Sequence, residues 1–148
     1  MALGFEFSEE MSGTYHRVGE PTEEHPFVFR VKAEAASLVR NLFDGKAAMT
    51  GTVEMAGVAE RAALKGTLTM KPLLARFIRY EFDFTGDDGR AYHYAGEKTI
   101  NHFRPGRSWT TLPGSVWDAE GKEVAKSVTY FDMKTLVPFL RSWKLRLR

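Results

Sequence analysis

Hydrophobic and polar residues alternate along most of this chain, in short runs separated by turn residues. In "GFEFSEEMSGTYH" the side chains of Phe5 and Phe7 are out of phase with Glu6 and Ser8, and "PFVFRVKA" continues the rhythm after Pro26. A period of two is typical of strands with one apolar face. The same pattern predicts strands in "AAMTGTVEMAG", "RAALKGTLTM", "RFIRYEFDF", "RAYHYAGEKTI", "SWTTLPGSVWD" and "KEVAKSVTYF".

Short turns join these predicted strands. The segment "TGDDG" contains an Asp-Gly pair, which is a strong hairpin signal, and "MAGVAE" and "AEGK" are similar short connections. Gly51 and Gly66 lie inside predicted strands, where glycine often marks a bulge or a sharp bend of a curling sheet. The pattern therefore indicates an antiparallel meander that curls.

Two segments depart from the period of two. "EAASLVRNLFDG" places four apolar side chains on one helical face and ends at Asp-Gly, which predicts one short amphipathic helix. "DMKTLVPFLRSW" offers Asp132 as a helix N-cap, but Pro138 would remove a hydrogen bond from a continuous helix. We expect a short or kinked turn of helix there.

About eight strands with one or two short helices exclude a doubly wound α/β sheet, which needs a helix in each crossover. We predict one mainly β domain over residues 1–148, an antiparallel up-and-down β-barrel that is lipocalin-like and carries one or two short helices. Closure hides the apolar face and removes exposed sheet edges. The alternative architecture is a small sheet packed on the helices.

Composition narrows the chemistry. The chain has 148 residues and no cysteine, which excludes disulfides, zinc sites built on thiolates and cysteine nucleophiles. The formal net charge is +2, which gives no indication of a nucleic-acid partner. The first residues lack the pattern of a secretory signal, and no apolar run reaches the roughly 20 residues of a transmembrane segment. We therefore predict a cytoplasmic protein with no nucleic-acid partner and no transmembrane segment.

One predicted hairpin carries many aromatic side chains on one face. In "RYEFDFTGDDGRAYHYAGEK" the five residues Tyr80, Phe82, Phe84, Tyr92 and Tyr94 share a face if both strands follow the ideal alternation. In a barrel of about eight strands that inner face either fills with side chains or leaves room for one small ligand. The five residues are thus either a packed core or the lining of an apolar pocket.

Known catalytic and cofactor patterns are missing from the sequence. His16, His25, His93 and His102 are not spaced as a pair of metal ligands, and Ser115 lacks the surroundings of a nucleophile elbow. There is no Gly-rich dinucleotide fingerprint and no P-loop. We predict no cofactor and no metal site.

The run "SWKLRLR" alternates apolar residues with Lys144, Arg146 and Arg148, and Arg141 lies just before it. The alternation predicts a final amphipathic strand. Lysine and arginine on such a strand protect a sheet edge against aggregation. The functional interpretation is that these four cations meet an anionic membrane surface or an acidic partner.

The segments "FEFSEEMSGTY", "FIRYEFDFTGDDGRAYHYAGEKTI", "SWTTLPGSVWD" and "FDMKTLVPFLRSWKL" resemble a β-rich accessory region that accompanies cholesterol-oxidase-like flavoproteins of the glucose-methanol-choline oxidoreductase group. The resemblance implies a module beside an oxidoreductase, in apolar, sterol-like or lipid metabolism. The flavin-binding fingerprint is absent, so the resemblance implies no oxidation chemistry. A more distant similarity to calycins rests on the inferred barrel and on "SGTYH", where Gly13-Thr14-Tyr15 stands in for their Gly-x-Trp.

Three functional hypotheses follow. The first is a noncatalytic module that binds an apolar, lipid-like small molecule through the five aromatic residues. The second is an interaction domain that docks on an enzyme or a membrane surface through its outer face and basic terminus. The third is an enzyme that uses an isolated acid or base such as His93 or Glu97.

Overall fold

The computed structural model describes residues 3–35, 45–71, 77–99, 110–131 and 144–147. The strands in these ranges are, in chain order, β1 (Leu3–Arg17), β2 (His25–Ala35), β3 (Lys46–Met55), β4 (Ala59–Lys71), β5 (Phe77–Thr85), β6 (Ala91–Thr99), β7 (Thr111–Asp118), β8 (Glu123–Phe131) and β9 (Lys144–Leu147). Each run that the alternation marked is confirmed to contain a strand within the described ranges.

The two segments that the sequence predicts to be helical lie mostly outside the described residues. Residues 36–44 and 132–143 belong to no described range, while Glu34 and Ala35, which open the first segment, are the last two residues of β2. No helix in the described ranges is long and apolar enough to cross a membrane.

The sheet closes on itself through β1. Each strand from β2 to β7 pairs antiparallel with the next, and β1 pairs with β2 along one edge and with β8 along the other. Strands β1–β8 therefore form a closed antiparallel β-barrel, and the predicted mainly β, lipocalin-like fold class is confirmed. On the edge of β1 that faces β8, β9 pairs with the beginning of the strand, from Leu3 to Glu6.

The alternation of the sequence becomes the inside and outside of this barrel. Along β1 the inner side chains of Phe5, Phe7, Met11 and Tyr15 are each at most 4% exposed. On the outer face, Arg30 bridges Glu10 on β1 at 2.8 Å and Glu54 on β3 at 3.2 Å. Half-exposed ion pairs of this kind contribute little stability, so burial of the inner face is the larger stabilising term.

Two glycines let neighbouring strands come closer than a side chain would allow. A Cβ atom on Gly51 would lie 1.9 Å from the Arg30 carbonyl oxygen, and one on Gly66 would lie 1.8 Å from the Glu81 carbonyl oxygen. Since both obstacles are backbone atoms, they cannot move aside without breaking strand pairing. The expectation that these glycines mark bends of the curling sheet agrees with this geometry.

We predict that Gly66→Ala destabilises the barrel far more than Gly121→Ala. The first adds a methyl group against backbone, and we expect it to cost about 3 kcal/mol or more. Gly121 has φ +79° with nothing near its Cβ position, so alanine there costs about 1 to 2 kcal/mol of backbone strain alone. Urea unfolding gives the loss of unfolding free energy in each variant. Equal losses in the two variants would contradict this explanation of the bend.

Candidate functional site

The two ends of the barrel are distinguished by the turns and the strand ends that lie there. At one end the chain turns through residues 18–24, 56–58, 86–90 and 119–122, and we call this the hairpin end. At the opposite end, which we call the far end, β2, β4, β6, β8 and β9 finish and β1, β3, β5 and β7 begin. Ligands of β-barrels commonly bind at such ends, so both are candidate sites.

A cavity of about 880 Å³ opens at the hairpin end, and we call it the hairpin-end cavity. Its apolar lining comes from the ends of the strands, on both faces, and from the adjoining turns. The residues that form this lining are Tyr15, Val18, Met55, Val58, Ala91, Tyr92, Ala119, Val124 and Ala125. The cavity therefore lies above the core, where the inner-face side chains meet solvent.

Tyr92 is held in the wall of this cavity by contacts on three sides. Its ring stacks on Phe84, with 5.5 Å between the ring centroids and 22° between the planes. The ring also lies against Gly86, where a Cβ atom would be 2.7 Å from it. The Tyr92 hydroxyl donates a hydrogen bond of 3.0 Å to Asp88. The ring is thus a fixed, partly exposed apolar surface.

Tyr15 forms another part of the lining. Its hydroxyl donates a hydrogen bond to the Ala56 carbonyl oxygen in the β3–β4 turn. Burial raises the pKa of Tyr15, and the nearby Arg17 guanidinium offsets part of that rise. The phenol is therefore neutral at physiological pH and fixes the turn to β1.

The rim of the hairpin-end cavity is charged but balanced. It carries three cations and three anions, which are Arg17, Arg90, Lys122, Asp118, Glu120 and Glu123. Several of these charges already have partners: Asp118 accepts the backbone N–H groups of Glu120 and Lys122, each at 2.9 Å. An apolar floor with a balanced polar rim favours an apolar ligand body over a highly charged one.

Four of the five predicted ligand contacts lie deeper than the cavity. Tyr80, Phe82, Phe84 and Tyr94 are each at most 4% exposed. The Phe82 and Tyr94 rings stack at 4.6 Å, and Phe29 packs against them at 5.3 and 5.4 Å. We call these four residues together with Phe29 the aromatic layer. Its members support the cavity floor, and their direct contact with a ligand stays a prediction.

The basic terminus is only partly described. Arg141 and Arg148 lie outside the described residues, whereas Lys144 and Arg146 belong to β9. In the register, Lys144 lies opposite Glu6 and Arg146 opposite Gly4 of β1. The predicted final strand is confirmed, and the docking role of these four cations stays a prediction.

A buried polar cluster near the far end was not predicted from the sequence. Glu9 on β1 and Lys98 on β6 are 7% and 5% exposed, and 3.5 Å separates Lys98 Nζ from Glu9 Oε1. The Tyr80 hydroxyl donates a hydrogen bond of 2.7 Å to the same oxygen. The sequence does contain a signal for this cluster, which is a charged residue at an inner position of each strand. Glu9 is in phase with Phe7, and Lys98 is in phase with the inner residues of β6.

Two buried tyrosine hydroxyls have strongly altered acidity. Burial raises the pKa of Tyr80 well above its usual value, and the adjacent Glu9 carboxylate raises it further. Burial also raises the pKa of Tyr94, although the nearby Ser127 and Thr129 hydroxyls reduce the effect. Neither the Tyr94 nor the Ser127 hydroxyl forms a hydrogen bond of ordinary geometry with the part of the chain that the structure describes.

The outer face carries a second concavity of about 900 Å³, which we call the outer groove. Strands β5–β8 and β1 form it, and Val128 and Tyr130 contribute exposed apolar surface. Beside it, His93 Nδ1 lies 2.7 Å from Asp83 Oδ1, with both side chains partly or largely exposed. His93 is therefore a partly exposed residue in contact with the Asp83 carboxylate. Across the described ranges, no three acidic or histidine side chains converge as a metal site would require.

We predict that Tyr80 and Tyr94 stay protonated at alkaline pH until the barrel unfolds. Their folded-state pKa values exceed the unfolded value of about 10, so this stabilisation is complete below about pH 10 and is lost as pH rises further. Tyrosinate absorbance, followed with circular dichroism from pH 8 upward, tests this. Ionisation of all five tyrosines near their usual pKa in a folded protein would contradict it.

Comparison of the chain with protein-family models, with curated proteins and with solved structures gives no significant match. The geometry of the barrel ends therefore carries the functional argument.

Proposed function

We propose that the protein is a noncatalytic module that binds an apolar, lipid-like small molecule in the hairpin-end cavity. The observation that supports this most is the cavity of about 880 Å³, whose lining includes the inner-face side chains of Tyr15, Met55, Tyr92 and Ala125. Ligand pockets usually have volumes of about 300 to 1,000 Å³ and combine apolar walls with a few polar groups. The cavity has both properties.

The aromatic layer sets the depth of the proposed site. Because Phe82 and Tyr94 stack at 4.6 Å and are almost fully buried, a ligand cannot pass between them without repacking the core. The ligand body would instead lie on the Tyr92 ring, with Met55 and Val58 beside it. Stacking on Phe84 holds the Tyr92 ring in place, which lowers the entropic cost of binding.

The resemblance to the accessory region of cholesterol-oxidase-like flavoproteins supports the same ligand class. It favours a sterol-like or other lipid-like molecule, and it suggests an oxidoreductase as the neighbour that makes or uses this molecule. The charged rim is compatible with such a ligand, because its cations and anions balance and impose no requirement for a charged group. Under this proposal the protein holds the ligand, and a partner carries out the chemistry.

We predict that Tyr92→Ala weakens binding about tenfold, since the ligand loses an aromatic contact. Native mass spectrometry with fatty acids, sterols and isoprenoids identifies the ligand, and titration then gives its affinity for each variant. Tyr130→Ala is the matched control, because it removes the same side chain from the outer groove. Methyl-labelled methionine offers a local probe, since Met55 lies in the cavity wall.

The expected result is a one-to-one adduct that shifts the Met55 methyl signal, is weakened in Tyr92→Ala and is unchanged in Tyr130→Ala. Folded protein that takes up none of these molecules would refute the proposal. So would an adduct that responds to Tyr130→Ala and is indifferent to Tyr92→Ala.

The second candidate function is docking on another protein through the outer groove. Its specific support is the exposed apolar surface of Val128 and Tyr130, which are 37% and 51% exposed. Exposed apolar surface rimmed by polar residues often marks an interaction site. Loss of a protein partner in Tyr130→Ala, without any ligand effect, would favour this candidate over the first.

A further inference from the structure

Arg17 occupies an inner-face position at the mouth of the hairpin-end cavity. It is the last residue of β1 and follows Tyr15 by two residues, so both side chains leave the strand on the same face. Its register partner on β8 is Ala125, which is 1% exposed and lines the cavity. The side chain of Arg17 belongs to the same lining. A long cationic side chain therefore begins beside a small apolar one at the entrance.

The guanidinium group of Arg17 reaches the β3–β4 turn. Its Nη2 atom is 3.1 Å from the position that a Cβ atom would take on Gly57, and the Tyr15 hydroxyl oxygen is 3.8 Å from the same position. Gly57 has φ +81°, a conformation that favours glycine, and the absence of a side chain leaves room for the guanidinium. The cation is thus held beside the cavity wall and near the Tyr15 phenol, whose pKa it lowers in part.

The guanidinium of Arg17 has donors to spare. An arginine carries five N–H donors. Within the described residues, which include every turn of the hairpin end, it takes part in no ion pair and no side-chain hydrogen bond. In the β7–β8 turn, Glu120 and Lys122 also line the mouth, but their opposite charges cancel.

The other charges of the rim have partners of their own. Arg90 Nε lies 3.7 Å from an oxygen of Asp88, and Glu123 Oε1 lies 3.4 Å from Lys126 Nζ. The Asp118 carboxylate accepts two backbone N–H groups of its own turn. The equal numbers of cations and anions on the rim therefore leave the guanidinium at the end of β1 without an anion in contact.

A carboxylate is the group that this guanidinium suits best. The planar fork of arginine matches the two oxygens of a carboxylate, and such charge-assisted pairs are stronger than hydrogen bonds between neutral groups. The apolar surface of Tyr92, Met55 and Val58 lies in the same cavity. A molecule with an apolar body and one terminal carboxylate fits both features.

We propose that Arg17 makes the hairpin-end cavity selective for an apolar carboxylic acid, whose carboxylate it binds while the hydrocarbon body lies on the Tyr92 ring. This inference rests on the proposed function, because it concerns the same cavity. The apolar walls bind the body of the ligand, and Arg17 determines the preference for its end group. An uncharged molecule of the same shape therefore binds as well, but more weakly.

The test compares three molecules with the same twelve-carbon chain, which are dodecanoate, dodecan-1-ol and dodecylammonium. Titration below the concentrations at which they aggregate gives the affinities, and the methyl signal of labelled Met55 reports binding in the cavity. We expect dodecanoate to bind about tenfold more tightly than dodecan-1-ol, as a hydrogen bond between charged groups would give. Dodecylammonium should bind more weakly than the alcohol. The Nε–H signal of Arg17 should shift with dodecanoate and stay unchanged with the alcohol.

Two variants separate a contact with Arg17 from the effect of overall charge. Arg17→Met keeps a long apolar stem and should lower the affinity for dodecanoate to that for dodecan-1-ol, without weakening the alcohol. Arg61→Met is the matched control, because Arg61 is an exposed arginine of β4 that does not belong to the cavity lining. It removes the same charge and should leave the tenfold preference intact.

Equal affinities of dodecanoate and dodecan-1-ol for the unchanged protein would overturn this inference and leave the proposed apolar site standing. If none of the three molecules shifts Met55, the inference and the proposed function both fail. A preference for dodecanoate that persists in Arg17→Met, or that Arg61→Met also removes, would overturn the role of Arg17. Should Arg17→Met fail to fold, the Arg17 Nε–H signal of the unchanged protein decides, and its indifference to dodecanoate would refute the contact.

Discussion

The pairing of β1 with both β2 and β8 is the constraint on which the rest of the structure depends. It turns an eight-strand meander into a barrel, so that every inner-face side chain enters one enclosed space. A slip of one residue in either pairing would exchange Phe5 and Phe7 for Glu6 and Ser8 on the inner face. Closure therefore fixes the register, and the register decides which side chains are core and which are available at the two ends.

The enclosed space is not uniform. The aromatic layer fills its middle, with the Phe82 and Tyr94 rings stacked and Phe29 packed against both. On one side of this layer the Tyr92 ring faces an open cavity, and on the other side Lys98 and Glu9 form a buried pair. The proposed apolar site and the buried polar pair thus lie on opposite sides of this layer.

The sequence allowed the strands and the inner face of the aromatic hairpin to be predicted, because a period of two is a local property. It could not separate Tyr92, which lines a cavity, from Tyr94, which is buried, since the two differ only in depth along β6. Glu9 and Lys98 were visible as charges at inner positions, but their contact joins β1 to β6 across the barrel. Such a contact depends on the closed geometry, which alternation alone does not specify.

Residue-resolved hydrogen exchange of the β1 amides tests the closed barrel most directly. In β1, alternate N–H groups face β2 and β8, and from Met11 to Tyr15 the strand is paired on both sides. The account predicts that both sets of amides in this stretch exchange slowly and through the same opening of the whole barrel. Rapid exchange of the set that faces β8, with slow exchange of the set that faces β2, would show an open sheet and would contradict the account.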